Sequence, residues 1–134
     1  MNIRKFAVSP TSRLHLRDAT DELMYTDDGK EMAIVLFGPG SKEHAKAQVE
    51  QRNRTMDRLK KKGKADMSVA QLAQETAEFL ADCTKSFENI EHSELSGRDL
   101  YIAVYTDQEL GFINDQVARH IGDWANFSKP STSN

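Results

Sequence analysis

The sequence predicts an α+β fold, mainly α-helical, with an N-terminal antiparallel β-hairpin or small sheet. Two runs of strand-forming residues flank an Asp-Gly turn within residues 12–37. Beyond Gly38-Pro39-Gly40, capping residues and apolar side chains spaced three and four apart mark successive helices. A length of 134 residues, with 38% hydrophobic and 29% charged, supports one domain with its own core over residues 1–127. The polar stretch 128–134, containing Pro130, is expected to be a mobile tail.

Arg13 to Arg17 alternates, with Leu14 and Leu16 on one side and His15 on the other. Leu23 to Thr26 is a short apolar stretch, and Asp27-Asp28-Gly29 supplies the turn, since Asp-Gly adopts the positive φ of a hairpin. Met32-Ala33-Ile34-Val35-Leu36-Phe37 is a continuous apolar run that fits a buried strand, stopped by Gly38-Pro39-Gly40.

Ser41 is a good N-cap for a helix over residues 41–62, whose composition favours helix but whose apolar residues are sparse, with Ala45, Val49, Met56 and Leu59 as the stripe. So thin a stripe predicts a helix that is peripheral or lies along a partner. Gly63 to Met67 reads as a break. Ser68 and Gln71 form a capping box opening a helix over residues 68–86. Val69, Leu72, Ala73, Thr76, Phe79, Leu80, Cys83 and Phe87 then recur on one face, which makes Cys83 a packed thiol rather than a reactive one. Residues 88–97 read as an acidic loop. Leu100 to Tyr105 fits either a strand or a short helix over 98–105 capped by Asp99. Thr106 and Glu109 suggest a second capping box for a helix over 107–125, with Leu110, Ile113, Val117 and Ile121 as its stripe and Phe112 and Trp124 beside it. Leu72, Phe79, Leu110, Ile113 and Val117 are the expected leaders of the core.

The formal charge of −3 conceals an asymmetry. Residues 42–64 hold nine basic and three acidic side chains, whereas residues 65–127 hold three basic and twelve acidic. Complementary patches of this kind steer association, so head-to-tail contacts between copies, or contact with an acidic partner, are expected where the charge is more than a solvated face.

Little else points to chemistry. His15, His44, His92 and His120 lack ligand spacing, so no metal is expected. One cysteine excludes an internal disulfide framework. Gly38-Pro39-Gly40-Ser41-Lys42 lacks the glycine spacing of a phosphate loop, and no nucleophile elbow occurs. Neither a catalytic site nor a cofactor is therefore expected. The basic run Arg52, Arg54, Arg58, Lys60, Lys61, Lys62 and Lys64 is the best nucleic-acid signal, but no aromatics interleave with it for base stacking. The first ten residues carry Arg4 and Lys5 without a long apolar run, and no stretch approaches the roughly 20 apolar residues of a membrane helix. A soluble protein of a reducing compartment is expected.

The C-terminal region carries a resemblance. Leu110-Gly111-Phe112-Ile113-Asn114-Asp115-Gln116-Val117, followed by Ile121-Gly122-Asp123-Trp124-Ala125-Asn126-Phe127, resembles the closing helix of the tail assembly chaperones of long-tailed, siphovirus-type bacteriophages. Ser86-Phe87-Glu88-Asn89-Ile90 is similar to that family's aromatic-Glu-Asn-Ile segment, and Gly38-Pro39-Gly40-Ser41 to the turn between its β region and first long helix. Phe87 stands where tryptophan is commoner, and Trp124 where arginine is commoner. The likeness runs in order over residues 13–127.

The resemblance implies a non-enzymatic protein of viral tail morphogenesis, acting in the host bacterial cytoplasm and absent from the mature virion. It implies binding to the tape-measure protein, which is kept soluble until the tail tube encloses it. It also implies recruitment of tail-tube protein through a frameshifted longer form, of which this chain is the short form. The alternative is a nucleic-acid-binding accessory protein using the basic helix 42–64. Candidate protein-contact residues are Arg54, Arg58, Lys60, Lys61 and Lys62 on that helix, with Trp124 and Phe127 as aromatic anchors.

Overall fold

The computed structural model describes residues 1–62 and 68–129. Three antiparallel strands, β1 (Thr11–His15), β2 (Ala33–Phe37) and β3 (Thr84–Glu88), form one sheet in the order β1-β2-β3. Four helices accompany it: α1 (Lys42–Lys62), α2 (Val69–Asp82), α3 (Gly97–Thr106) and α4 (Gly111–Ile121). The α+β, mainly helical class is as the sequence predicts.

The apolar run of residues 33–37 becomes the central strand because it alone can be covered on both faces; Ala33, Ile34 and Leu36 are fully buried. β1 pairs with it from Thr11↔Phe37 to His15↔Ala33. Between these strands the chain folds back through bridges Arg17↔Leu23 and Tyr25↔Glu31, closing at Gly29, whose φ of +85° is the conformation the Asp-Gly turn requires. On the exposed face Arg13 of β1 reaches Glu31, two residues before β2, at 2.6 Å and Glu88 of β3 at 2.9 Å.

The third strand corrects the expected helix over residues 68–86. Helix α2 stops at Asp82 with Cys83 as its C-cap, and residues 84–88 pair with β2, from Ala33↔Glu88 to Leu36↔Thr84 across a bulge at Val35/Leu36. Cys83 and Phe87 satisfy helical spacing by coincidence. As a strand, residues 84–88 give backbone partners to the second edge of β2, which a further helical turn would leave unpaired. Phe87 consequently packs its ring 4.5 Å from Tyr101 and edge-on to Tyr105.

Residues 100–105, open between strand and helix, are helical. Helix α3 starts before Asp99, which lies in its first turn rather than at the cap, and it runs through Thr106. Thr106 is therefore no N-cap, and its hydroxyl donates back to the Ile102 carbonyl at 2.7 Å. Asp107 is the cap instead, accepting from Glu109 N for a 3-10 turn, Gln108–Leu110, that leads into α4. The expected helix 107–125 is thus three pieces, the last a 3-10 turn, Trp124–Phe127, capped by Asp123.

The core lies between the sheet and helices α2, α3 and α4. Leu16, Ile34, Leu36, Ala77, Leu80, Val104, Tyr105, Ile113, Val117 and Ile121 fill it. Ile113 and Val117 are buried as expected, and Phe79 and Leu110 pack against the core partly buried. Leu72 corrects the reading, being 56% exposed. The Tyr105 hydroxyl meets Thr84 Oγ1 at 2.8 Å, and Thr84 also donates to the Leu80 carbonyl, so this buried pair is satisfied. The expected break at Gly63–Met67 and residues 130–134 of the expected tail lie outside the described residues.

Candidate interaction surface

Helices α1 and α2 run antiparallel, and charge occupies the seam between them. Arg58 Nη1 bonds to Glu75 Oε2, with only 10% and 18% of those side chains exposed. One turn back along α1, Arg54 Nε lies 3.2 Å from Glu78 Oε2 and its Nη2 lies 3.8 Å from Asp82 Oδ2. Asp82 also pairs with Arg98 at the start of α3. The seam is under-satisfied. Arg54 Nε and Nη2, Arg58 Nε and Asp82 Oδ2 are buried without a hydrogen bond, since the Arg54 nitrogens lie within ion-pair range but are not aimed at their carboxylates.

The predicted contact residues therefore separate. Arg54 and Arg58 face inward and are engaged within the chain. Lys60 and Lys61 are exposed, as are Lys42, Lys46 and Arg52, so α1 keeps an outward cationic face. The side chain of Lys62 lies outside the described residues. Trp124 is 56% exposed, and its ring sits near Gly40, where a Cβ would run into Val8 but only touch the indole. Phe127 is 1% exposed, so it closes the core and is no surface anchor. Its ring lies flat on Gly38, where a Cβ would overlap three ring carbons, and its carbonyl accepts from Ser9 N at 2.7 Å.

The apolar stripe of α2 begins uncovered and ends buried. Leu80 is in the core and Phe79 is edge-on to His44, but Leu72, Ala73 and Val69, the last 79% exposed, face outward. Beside them runs a trough in two connected parts. One, about 560 Å³, is lined on the α2 side by Val69, Ala70, Ala73 and Thr76 and opposite by Tyr105, Thr106, Asp107, Gln108, Gly111 and Asn114. The other, about 340 Å³, is lined by Thr76, Phe79, Asn114, Ala118, Ile121 and Gly122 with Asp115 at its edge. Thr76 and Asn114 belong to both. Small residues leave room for another helix to approach closely. Asn114 donates to the Tyr105 carbonyl at 2.7 Å, while its Oδ1 has no partner. Asp107 accepts from His92 at 2.9 Å, and that bond holds its carboxyl below the usual carboxylate range, so the rim is anionic.

Sequence reasoning missed the trough and the three seam carboxylates. A signal for the seam was present: arginines four apart at 54 and 58, then acids at 75, 78 and 82, pair in reverse order, as an antiparallel hairpin requires. The trough had none, because its far wall comes from α4.

A polar depression of about 580 Å³ between β1 and α4 contains His15 and His120. Both rings serve structure: His15 Nε2 is 2.9 Å from the Met24 carbonyl oxygen, and His120 Nε2 is 2.9 Å from Ser12 Oγ. Burial lowers the pKa of His120 against a smaller opposing pull from Asp123, and burial also lowers that of His44. Because the unfolded chain takes up these protons first, their contribution to stability is full above the ordinary histidine value of 6.5. It is lost as pH falls from there through the lowered values of the folded state. Urea midpoints measured from about pH 7 down to about pH 5 are expected to fall, and His120→Gln to flatten part of that slope. The Cys83 thiol is fully buried and burial pushes its pKa up to about 12. Iodoacetamide is expected to leave the native protein unlabelled and to modify it fully in denaturant.

Among the described residues no cluster of three or more metal-ligating side chains occurs, and no helix is long and apolar enough to cross a membrane. No family model, no curated protein and no solved structure matches the chain.

Proposed function

We propose that the protein is a non-enzymatic tail assembly chaperone of a long-tailed bacteriophage, which binds amphipathic helical segments of the tape-measure protein and keeps that protein soluble in the host bacterial cytoplasm. A frameshifted longer form would bring tail-tube protein to the complex. The observation that carries the reading is the open trough along α2, bounded by the uncovered Val69 and Ala73, with Leu72 exposed on the same helix. A groove with an apolar wall, here Val69, Ala70 and Ala73 of α2, is how a folded domain takes the apolar face of a helix. The sequence resemblance over residues 13–127 supports the identity of the client. The cation-rich helix supports the nucleic-acid alternative less well, because Arg54 and Arg58 are engaged by acids of the same chain.

Co-expression with the phage's own tape-measure protein tests the reading. Soluble tape-measure protein that co-purifies with many copies of this chain is the expected result. An insoluble tape-measure protein with nothing co-purifying, even with the longer form supplied, would overturn it. Salt-dependent retention of short DNA or RNA in its place would favour the alternative.

A further inference from the structure

The two walls of the trough differ in chemistry. The α2 wall offers Val69, Ala70 and Ala73, with Phe79 further along, over about 15 Å of helix axis at about 1.5 Å per residue. The opposite wall offers acceptors and negative charge. Asp107 lines the first part and Asp115 the second, and Asn114, which lines both, keeps Oδ1 without a partner. The Asp107 carboxyl is held low by the bond to His92 and by a second bond from Glu109 N, so it is ionised at neutral pH. Glu109 is itself exposed in the turn that follows. Neither part is lined by a lysine or an arginine. His44 lines the second part, but burial lowers its pKa, so it is mainly uncharged at pH 7. Between the walls the space is open: a Cβ added at Gly111 would meet nothing within 4 Å.

We propose that the trough selects a basic amphipathic helix of the client, one whose apolar stripe lies on α2 and whose lysines or arginines, along one edge of that stripe, meet Asp107 and Asp115. This rests on the reading of the trough as the client-binding groove and assigns the chemistry of the segment it takes. An acidic helix with the same stripe would bury the same apolar area, so charge decides between the two. Opposed charges at a rim favour the right partner, and like charges brought together reject the wrong one. The charge also sets direction. For a helix with cations on one edge only, reversing it would move them to the α2 side, away from the carboxylates. The same rim repels a phosphate backbone, so the occupant is a polypeptide.

Two fluorescein-labelled model peptides of about 18 residues, roughly five turns of helix, test it. They share one stripe of leucine and alanine; one carries lysines along an edge of that stripe and the other carries glutamates there. Fluorescence anisotropy with the full chain in low salt is expected to show the lysine peptide bound about tenfold more tightly, with the preference shrinking in high salt. Gly111→Arg places a long cation in the open space and is expected to abolish lysine-peptide binding. Asp115→Lys is expected to weaken it about fivefold. Glu91→Lys makes the same charge change outside the trough and is expected to leave binding close to wild type, which separates the trough from the general attraction of a chain of net charge −3. Circular dichroism checks folding: Gly111 has a φ of −57° that suits any residue, and Asp115 is exposed and decides alone should Gly111→Arg not fold. The inference is overturned if the glutamate peptide binds as tightly as the lysine peptide or if neither binds. It is equally overturned if Glu91→Lys weakens binding as much as Asp115→Lys does. Solubility of co-expressed tape-measure protein is scored separately on wild-type protein. Selectivity for the lysine peptide without client solubility leaves this inference standing and removes the functional reading; client solubility without that selectivity does the reverse.

Discussion

Phe127→Ala is expected to cost about 3–5 kcal/mol of unfolding free energy, the range for truncating a buried phenylalanine in a core that collapses only partly. The ring is 1% exposed and lies against Gly38, at the junction of β2 with the turn that starts α1. It is also edge-on to His120, with centroids 5.4 Å apart. The backbone around it cannot close over the gap freely, because Ser9 N is bonded to the Phe127 carbonyl and Gly38 N to the Pro10 carbonyl. Losing the ring thus loosens the N-terminal segment, the β2–α1 turn and the end of α4 together. Trp124→Ala is the control, expected to cost about 1 kcal/mol or less because that ring is half in solvent. Urea titrations of both variants decide the matter, and a Phe127→Ala cost within about 1 kcal/mol of zero would contradict the placement of the ring.

Arg58→Met alone is expected to destabilise by roughly 3 kcal/mol, the low end of what removing one partner of a buried ion pair costs, because Glu75 is left largely buried and unpaired. The double variant Arg58→Met/Glu75→Leu is expected to return to wild-type stability or to exceed it by roughly 2 kcal/mol, since apolar residues of similar volume remove the desolvation cost of both charges. The orphaned nitrogens of Arg54 and Arg58 show that this cost is not fully offset in the seam. Chemical denaturation measures the energies, and hydrogen exchange in α1 reports whether the single variant frees that helix first. Equal destabilisation by the single and double variants would show that the seam is a net source of stability.

Much of the architecture was legible because local signals agreed with the tertiary outcome. The Asp-Gly turn, the run of residues 32–37, Ser41 as a cap and the Ser68–Gln71 capping box all stand where the sequence placed them. Ser41 is nearly buried, and its hydroxyl accepts from His44 N at 3.0 Å. What was not legible depended on distant partners. Residues 84–88 are a strand because β2 offers an unpaired edge, and nothing within the segment signals that edge. Leu72 keeps the spacing of a core residue, yet burial needs a neighbour, and α2 extends past the end of the core there. The charge asymmetry was legible as a pattern but ambiguous in its target, since nothing in the sequence separates Arg58, engaged within the chain, from Lys60, which is exposed.

In the proposed function, the uncovered stripe of α2 is the working surface. Replacing Val69 and Leu72 with aspartate and repeating the co-expression with tape-measure protein tests it most directly. Both side chains point into solvent, so folding stability is expected to change by no more than about 0.5 kcal/mol each. A folded variant with an insoluble tape-measure protein is the expected result. A tape-measure protein as soluble with the folded variant as with wild-type protein would contradict it.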